Sequence, residues 1–334
     1  MRPSPSDAFR LGAAALALLL GGPGGAAAQG PPGQPQIAGA ESEGAEFLLI
    51  PMGPRAVAMG RAVTASRGTV EAALWNPAGL ADLPGTSVAV THETTVFTQN
   101  NVLSVAVPLS IGTLGVTYFL VDFGETERRD DQNQLLGVVS ARNQELVLSY
   151  ARRIWGGVEA GVSYKLVQLL CSGPCTGSGG LAATTHAADV GLILHRPVDL
   201  PLTAGVSVLH AGLPLRVQND GNGDPLPTRV RAGVAYEGFS SFVGDTTAGL
   251  RIHADLEEEW NTLGSPDLFL GAEASYRRRV FLRAGYAWSD RGSGGGALGL
   301  GLAHDRLYVN LSRRLDEASE LVGDPLQVSI GLVF

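Results

Sequence analysis

From Thr86 onward the chain alternates apolar positions with polar or small ones. In Val280 to Ser289, the residues Val280, Leu282, Ala284, Tyr286 and Trp288 share one face, and Phe281, Arg283, Gly285, Ala287 and Ser289 share the other. Arg229 to Tyr236 sets Val230, Ala232, Val234 and Tyr236 against Arg229, Arg231, Gly233 and Ala235. Thr247 to Leu256 sets Ala248, Leu250, Ile252, Ala254 and Leu256 against Thr247, Gly249, Arg251, His253 and Asp255. A period of two means β-strands with one apolar face. Soluble sandwiches alternate as well, so length and connection pattern must decide. Strands of about ten residues suit a tilted membrane crossing, whereas ordinary strands average nearer five or six.

The pattern predicts about fourteen strands, centred near Ala89, Val105, Val116, Val147, Ser163, Asp189, Val206, Ala232, Ile252, Gly271, Ala284, Leu300, Val309 and Ile330. An even number closes an antiparallel barrel with both ends on one side. Tight connections are expected around Ile111-Gly112, Gly156-Gly157, Arg278 and Asp305, and longer ones over 122–142, 171–182, 211–227 and 257–266. Short periplasmic turns alternating with long outer loops is the bacterial barrel pattern, which only Glu237 to Asp245 departs from. The chain ends on Val328, Ile330, Leu332 and Phe334, an apolar face alternating with Ser329, Gly331 and Val333. Such an ending suits a strand that must pair with the first one. It also resembles the terminal-strand signal read by outer-membrane assembly machinery.

The part before Thr86 differs. Pro54 to Ala65 reads as a short helix, and Ala72 to Leu83 as a second, with Asn76 as its cap and Pro77 at the first helical position. Residues 47–85 are too few to hold a core of their own. A closed barrel offers them its lumen, so they are expected to form a plug or hatch. Residues 29–46, rich in Pro, Gly and Gln, read as a flexible periplasmic leader. Residues 1–28 read as a signal peptide: Arg2 and Arg10 flank the start, Leu11 to Leu20 is apolar, and Ala26-Ala27-Ala28 offers a cleavage site before Gln29. The barrel itself is expected over 86–334, and the bacterial outer membrane is the expected location.

Composition agrees. The chain has 17% charged residues and 45 glycines among 334 residues; small residues suit lumen positions and tight turns. A net charge of −8 without a basic stripe excludes a general nucleic-acid binder. Arg277 to Arg279 is the one basic run and reads as a solvated turn. Cys171 and Cys175, in Cys-Ser-Gly-Pro-Cys, suit a small local disulfide in an oxidising compartment.

No catalytic residue, cofactor or metal site is expected. His92, His186, His195, His210, His253 and His304 show no metal-ligand spacing, and no G-x-S-x-G elbow occurs. Asn219 to Asp224 lacks the Glu that would complete a calcium loop and reads as a polar turn; Glu257 to Glu259 reads as a loop edge. Arg229, Arg231, Arg251, Asp255 and Arg283 fall on the polar, lumen-facing phase. There they either tune what passes or pair with one another to hold the barrel's shape.

Two further segments carry a family resemblance. Gly53-Pro54-Arg55-Ala56-Val57-Ala58-Met59-Gly60-Arg61-Ala62 with Leu74-Trp75-Asn76-Pro77-Ala78-Gly79-Leu80 resembles the N-terminal region of the PorV/PorQ family, within the FadL-like group. Leu226 to Gly233 and Leu282 to Tyr286 are similar as well. The Asn-Pro-Ala element is the most specific part, and Arg61 departs from the small residue that often follows Met-Gly there. The resemblance implies a fourteen-stranded barrel with a plug in which Met59, Gly60, Trp75, Asn76, Pro77 and Ala78 take part. It also implies a role in moving hydrophobic molecules or secreted proteins. Expected partners are outer-membrane lipid, the assembly machinery, and either secretion components with their cargo or hydrophobic small molecules. A FadL-like channel for fatty acids or other apolar compounds is the first alternative, and a soluble secreted β-rich protein or a barrel enzyme the second.

Overall fold

The computed structural model describes residues 43–176, 179–196, 201–216, 223–237, 248–289, 294–316 and 325–334. The signal-like residues 1–28, most of the leader, 219–222 of the polar turn, 238–245 of the long turn and 292–293 of the glycine run lie outside them.

The strands are β1 (Ser87–Thr94), β2 (Gln99–Leu109), β3 (Gly112–Arg129), β4 (Leu135–Trp155), β5 (Val158–Thr176), β6 (Gly179–His195) and β7 (Leu202–Gly212). They continue as β8 (Arg229–Tyr236), β9 (Ala248–Glu259), β10 (Asp267–Tyr276), β11 (Val280–Trp288), β12 (Gly295–His304), β13 (Leu307–Asp316) and β14 (Leu326–Val333). Each pairs with its sequence neighbour, and β1 pairs with β14 from Ser87 opposite Val333 to Thr94 opposite Leu326. All fourteen expected centres fall within these strands, in order. The sheet closes on itself, so the sandwich alternative falls.

Burial confirms the phase, with the usual sense inverted. Outward positions such as Val116 (47% exposed), Val162 (50%), Val190 (52%) and Leu282 (60%) are apolar and bare, while inward Lys165, Asp189 and Glu159 are fully buried. A contiguous apolar exterior of this kind is tolerable only in lipid. One side of this belt ends at a polar ladder across four strands. Tyr118 Oη donates to Gln144 (2.6 Å), Gln144 Nε2 to Gln168 (2.8 Å) and Gln168 Nε2 to Thr184 (3.3 Å). At the opposite end, where the tight turns lie, Trp155, Tyr236 and Tyr276 are exposed, as interfacial aromatics are.

Two expectations need correction. The segments 122–142 and 171–182 are mostly strand: β3 to β6 run 17 to 21 residues and stand well beyond the ladder. Outside lipid both faces of a hairpin can be wet, so its sequence loses the alternation that marks the lower strands. The expected helices are also shorter. Pro54–Ala58 is the α-helix (α1), and Glu46–Leu49, Val70–Leu74 and Pro77–Asp82 are 3-10 turns. Asn76 does cap the last of these, its side chain accepting from Ala78 N–H with Pro77 following. The segment is held by its surroundings, so it needs no regular helix.

Candidate functional site

Residues 43–86 thread the barrel from the end bearing the long connections to the end bearing the tight turns. At the first end Glu43 accepts both guanidinium Nη groups of Arg229 (2.8 Å each), and Gly44 N–H donates to Pro225. The segment leaves along Gly85, and Phe334 N–H donates to Thr86. Where the segment's backbone passes closest, the wall has glycine. A Cβ on Gly285 would overlap the backbone of Met59 and Gly60, and one on Gly161 would overlap Pro77 and Ala78. This explains part of the glycine excess: at these positions a side chain would displace the segment.

Three polar attachments fix the segment. Asp255 accepts the backbone N–H groups of Val63 (2.8 Å) and Thr64 (2.7 Å). Arg231 reaches Asp255 (3.4 Å), Glu257 (2.6 Å), Thr64 Oγ1 (3.0 Å) and the carbonyl of Arg61 (2.6 Å), with its guanidinium near the rings of Trp75 and Phe269. Asn76 Nδ2 donates to the carbonyls of Thr64 (2.7 Å), Leu192 and Val206 (both 3.3 Å), tying the segment to β6 and β7. Arg61, the departure from the resembling family, takes a left-handed φ of 70° and lays its guanidinium 4.6 Å from the centre of the Phe269 ring.

The five lumen charges read from the sequence are inward, and each is paired. Arg229 also meets Glu259 (3.4 Å). Arg251 and Arg283 converge with Arg55 on Glu273, at 3.1, 2.6 and 3.1 Å. Arg251 stays 44% exposed and also pairs with Glu237. Of the two readings, mutual pairing describes these contacts. Sequence reasoning missed Glu43 and Glu273, and also the buried group of Lys165 with Asp189 (3.0 Å) and Glu145 (3.6 Å). The inward phase of those on strands was visible, but their partners lie on other strands or on the segment, and Glu43 lies in the stretch read as leader. Cys171 and Cys175 are joined by a disulfide at the outer end of β5.

Two cavities flank the segment. One, of about 490 Å³, lies toward the long connections; Leu48, Ile50, Met52, Leu74, Trp75 and Phe119 give it an apolar side. Lys165, Arg229, Arg231 and Arg314 face it elsewhere together with the acidic Glu43, Glu46, Glu145, Glu257, Glu259 and Asp267, and Arg314 Nε is buried without a hydrogen-bond partner. The other, of about 230 Å³, lies toward the tight turns and is lined by Arg55, Glu71, Phe281, Arg283 and Tyr308. On α1, Arg55 faces the second and Val57 the first, so the segment walls both. Met59 packs fully buried against Ala56, Val63 and Trp75. Among the described residues no His, Cys, Asp or Glu cluster is placed to hold a metal.

A closed fourteen-stranded barrel, apolar outside and threaded by its own N-terminal segment, is an outer-membrane type of architecture. Known structures place it further. It is similar to the CymD monoaromatic hydrocarbon channel, with a TM-score of 0.60 and 12% identity over 86% of this chain and 98% of that one. It is similar to the Ralstonia pickettii toluene transporter TbuX (TM-score 0.57, 14% identity, 86% and 100% covered). A Pseudomonas aeruginosa FadL homologue also matches (TM-score 0.50, 10% identity, 85% and 98% covered). At such identities the likeness is one of fold: a FadL-like outer-membrane barrel. No protein-family model matches the chain. No curated protein matches it. Of the two expectations drawn from resemblance, the FadL-like one has the better support.

Proposed function

We propose that this protein is a non-enzymatic outer-membrane channel for hydrophobic small molecules, with residues 47–85 as its plug. The observation that carries this is the outer cavity, whose apolar side is built by the N-terminal segment and the barrel wall together. Its volume is that of a small-molecule site, and it sets this apolar side against basic and acidic side chains that could orient a guest. Two of the three named neighbours are a monoaromatic hydrocarbon channel and a toluene transporter, which agrees with this reading.

The test is uptake of toluene and of a long-chain fatty acid by cells lacking channels of their own. Expression should accelerate entry of at least one compound, and Phe119→Arg, which puts a charge in the cavity's apolar side, should abolish the gain. A correctly assembled barrel that accelerates neither would overturn the proposal.

A PorV/PorQ-type docking role in secretion has one observation in its favour. Val96 (66% exposed), Phe97 (62%), Trp260 (58%) and Leu263 (68%) stand bare on the outer connections, where cargo would meet them. Capture of secreted proteins that is lost in Phe97→Ser/Trp260→Ser, with no uptake, would favour it.

A further inference from the structure

The run Arg277-Arg278-Arg279 sits at the tight turn between β10 and β11. Arg279 N–H closes the turn on Tyr276 O at 2.9 Å, and both central residues are left-handed, with φ of 51° and 53°. Asn-Gly is the favoured pair for such a turn, because left-handed backbone crowds the Cβ of other residues. Arginine twice over is an unfavourable choice, and backbone kept in an unfavourable region is grounds for a functional hypothesis.

The next turn on the same rim supplies Arg306, and the two are joined where Ala303 N–H donates to Arg279 O at 2.7 Å. All four arginines are exposed. None forms an ion pair with a described residue, and Asp305 lies beside His304. Lipid-facing Tyr276, Val280, Leu302 and Leu307 lie immediately beside the turns. The charges therefore stand at the headgroup level of the bilayer, and Arg277 lies 5.3 Å from the centre of the Tyr276 ring.

We propose that these two turns form a binding site for the phosphate headgroups of anionic phospholipid in the periplasmic leaflet. The proposal rests on the outer-membrane reading, which makes the end bearing the tight turns periplasmic. A plain solvated turn would have no use for four exposed arginines, two of them on left-handed backbone, next to lipid-facing side chains. Guanidinium groups recognise phosphate through paired N–H donors, and basic side chains near a bilayer favour anionic over neutral lipid by about five-fold each.

The experiment reconstitutes the whole protein in phosphatidylcholine bilayers carrying spin-labelled phosphatidylglycerol or spin-labelled phosphatidylcholine, and measures the fraction of each label immobilised at the barrel. The intact protein should retain phosphatidylglycerol preferentially, and high salt should weaken the preference. Arg277→Asn/Arg278→Gly installs the favoured turn, so this variant should fold at least as well. It should nevertheless lose about an order of magnitude of the preference. Arg279→Gln/Arg306→Gln should do the same without altering either left-handed residue of that turn. Equal retention of both lipids by the intact protein would overturn the proposal, and would leave an acidic protein as the occupant. So would a preference that survives both variants. Failure to enter bilayers as a heat-resistant barrel would overturn the membrane reading itself, and this site with it.

Discussion

Glu71 is an acidic side chain inside the barrel, on the wall of the inner cavity and close to Gly53. Burial pushes its carboxyl above the ordinary carboxylate range, and Arg55 and Arg283 offset that in part. A carboxyl raised in the folded protein holds its proton where the unfolded chain has lost it. Stability is therefore fully present below the unfolded value and is lost as the pH rises through the folded one. Docking of the N-terminal segment should weaken as the pH climbs above the ordinary glutamate range. Glu71→Gln should remove that dependence and leave the segment better held at neutral pH. Limited proteolysis of the segment across a pH series checks this, and an unchanged profile in the variant would refute it. Little of this was legible at the level of single residues. The inward phase of Arg231 or Arg283 follows from period two, but Glu43 and Glu273 became visible as their partners only once the barrel had closed.

At the scale of elements, the strands were read better than the segment between them and the chain's start. Each strand centre was recoverable because lipid on one side and a polar lumen on the other force alternation along every crossing. The tall ends of β3 to β6 meet water on both faces, so 122–142 and 171–182 read as loops. The segment was legible as something that must be buried, and Asn76-Pro77 as a cap, but its helices were overestimated. Its conformation is set by contacts with the wall, chiefly where Asp255 takes two backbone N–H groups and Arg231 holds the turn at Arg61. Asp255→Ala leaves those two buried donors without their acceptor, which should cost docking about 1–3 kcal/mol each, while Arg231 keeps Glu257. Hydrogen exchange should then show the Val63 and Thr64 amides unprotected while the strand amides stay protected. Equal protection in both proteins would mean the segment is held elsewhere.

For the whole molecule, closure depends on the last strand. β14 pairs on both sides, with β13 and with β1, and Phe334 N–H bonds Thr86 beyond the final ladder pair. The apolar terminal strand was the clearest single signal in the sequence, and its register gives it a mechanical sense. Deleting Phe334 should lower the yield of assembled barrel, read as the heat-dependent shift in gel mobility of the membrane fraction. The molecules that do assemble should keep their shift, because the eight pairs from Ser87–Val333 to Thr94–Leu326 remain. Undiminished assembly would count against a role for the terminal residue in recognition by the assembly machinery.

The glycines facing the threaded segment bear on how such a protein can change over time. A lipid-facing valine can drift to leucine or isoleucine with little consequence, since fluid acyl chains adapt to its shape. Gly161 or Gly285 has no such freedom, because its neighbour is main chain, and main chain cannot be trimmed by substituting a residue. Inheritance therefore treats wall and segment as one unit. A segment grafted from a related barrel would meet side chains where its own path needs bare backbone, so exchange between relatives succeeds only when both parts travel together.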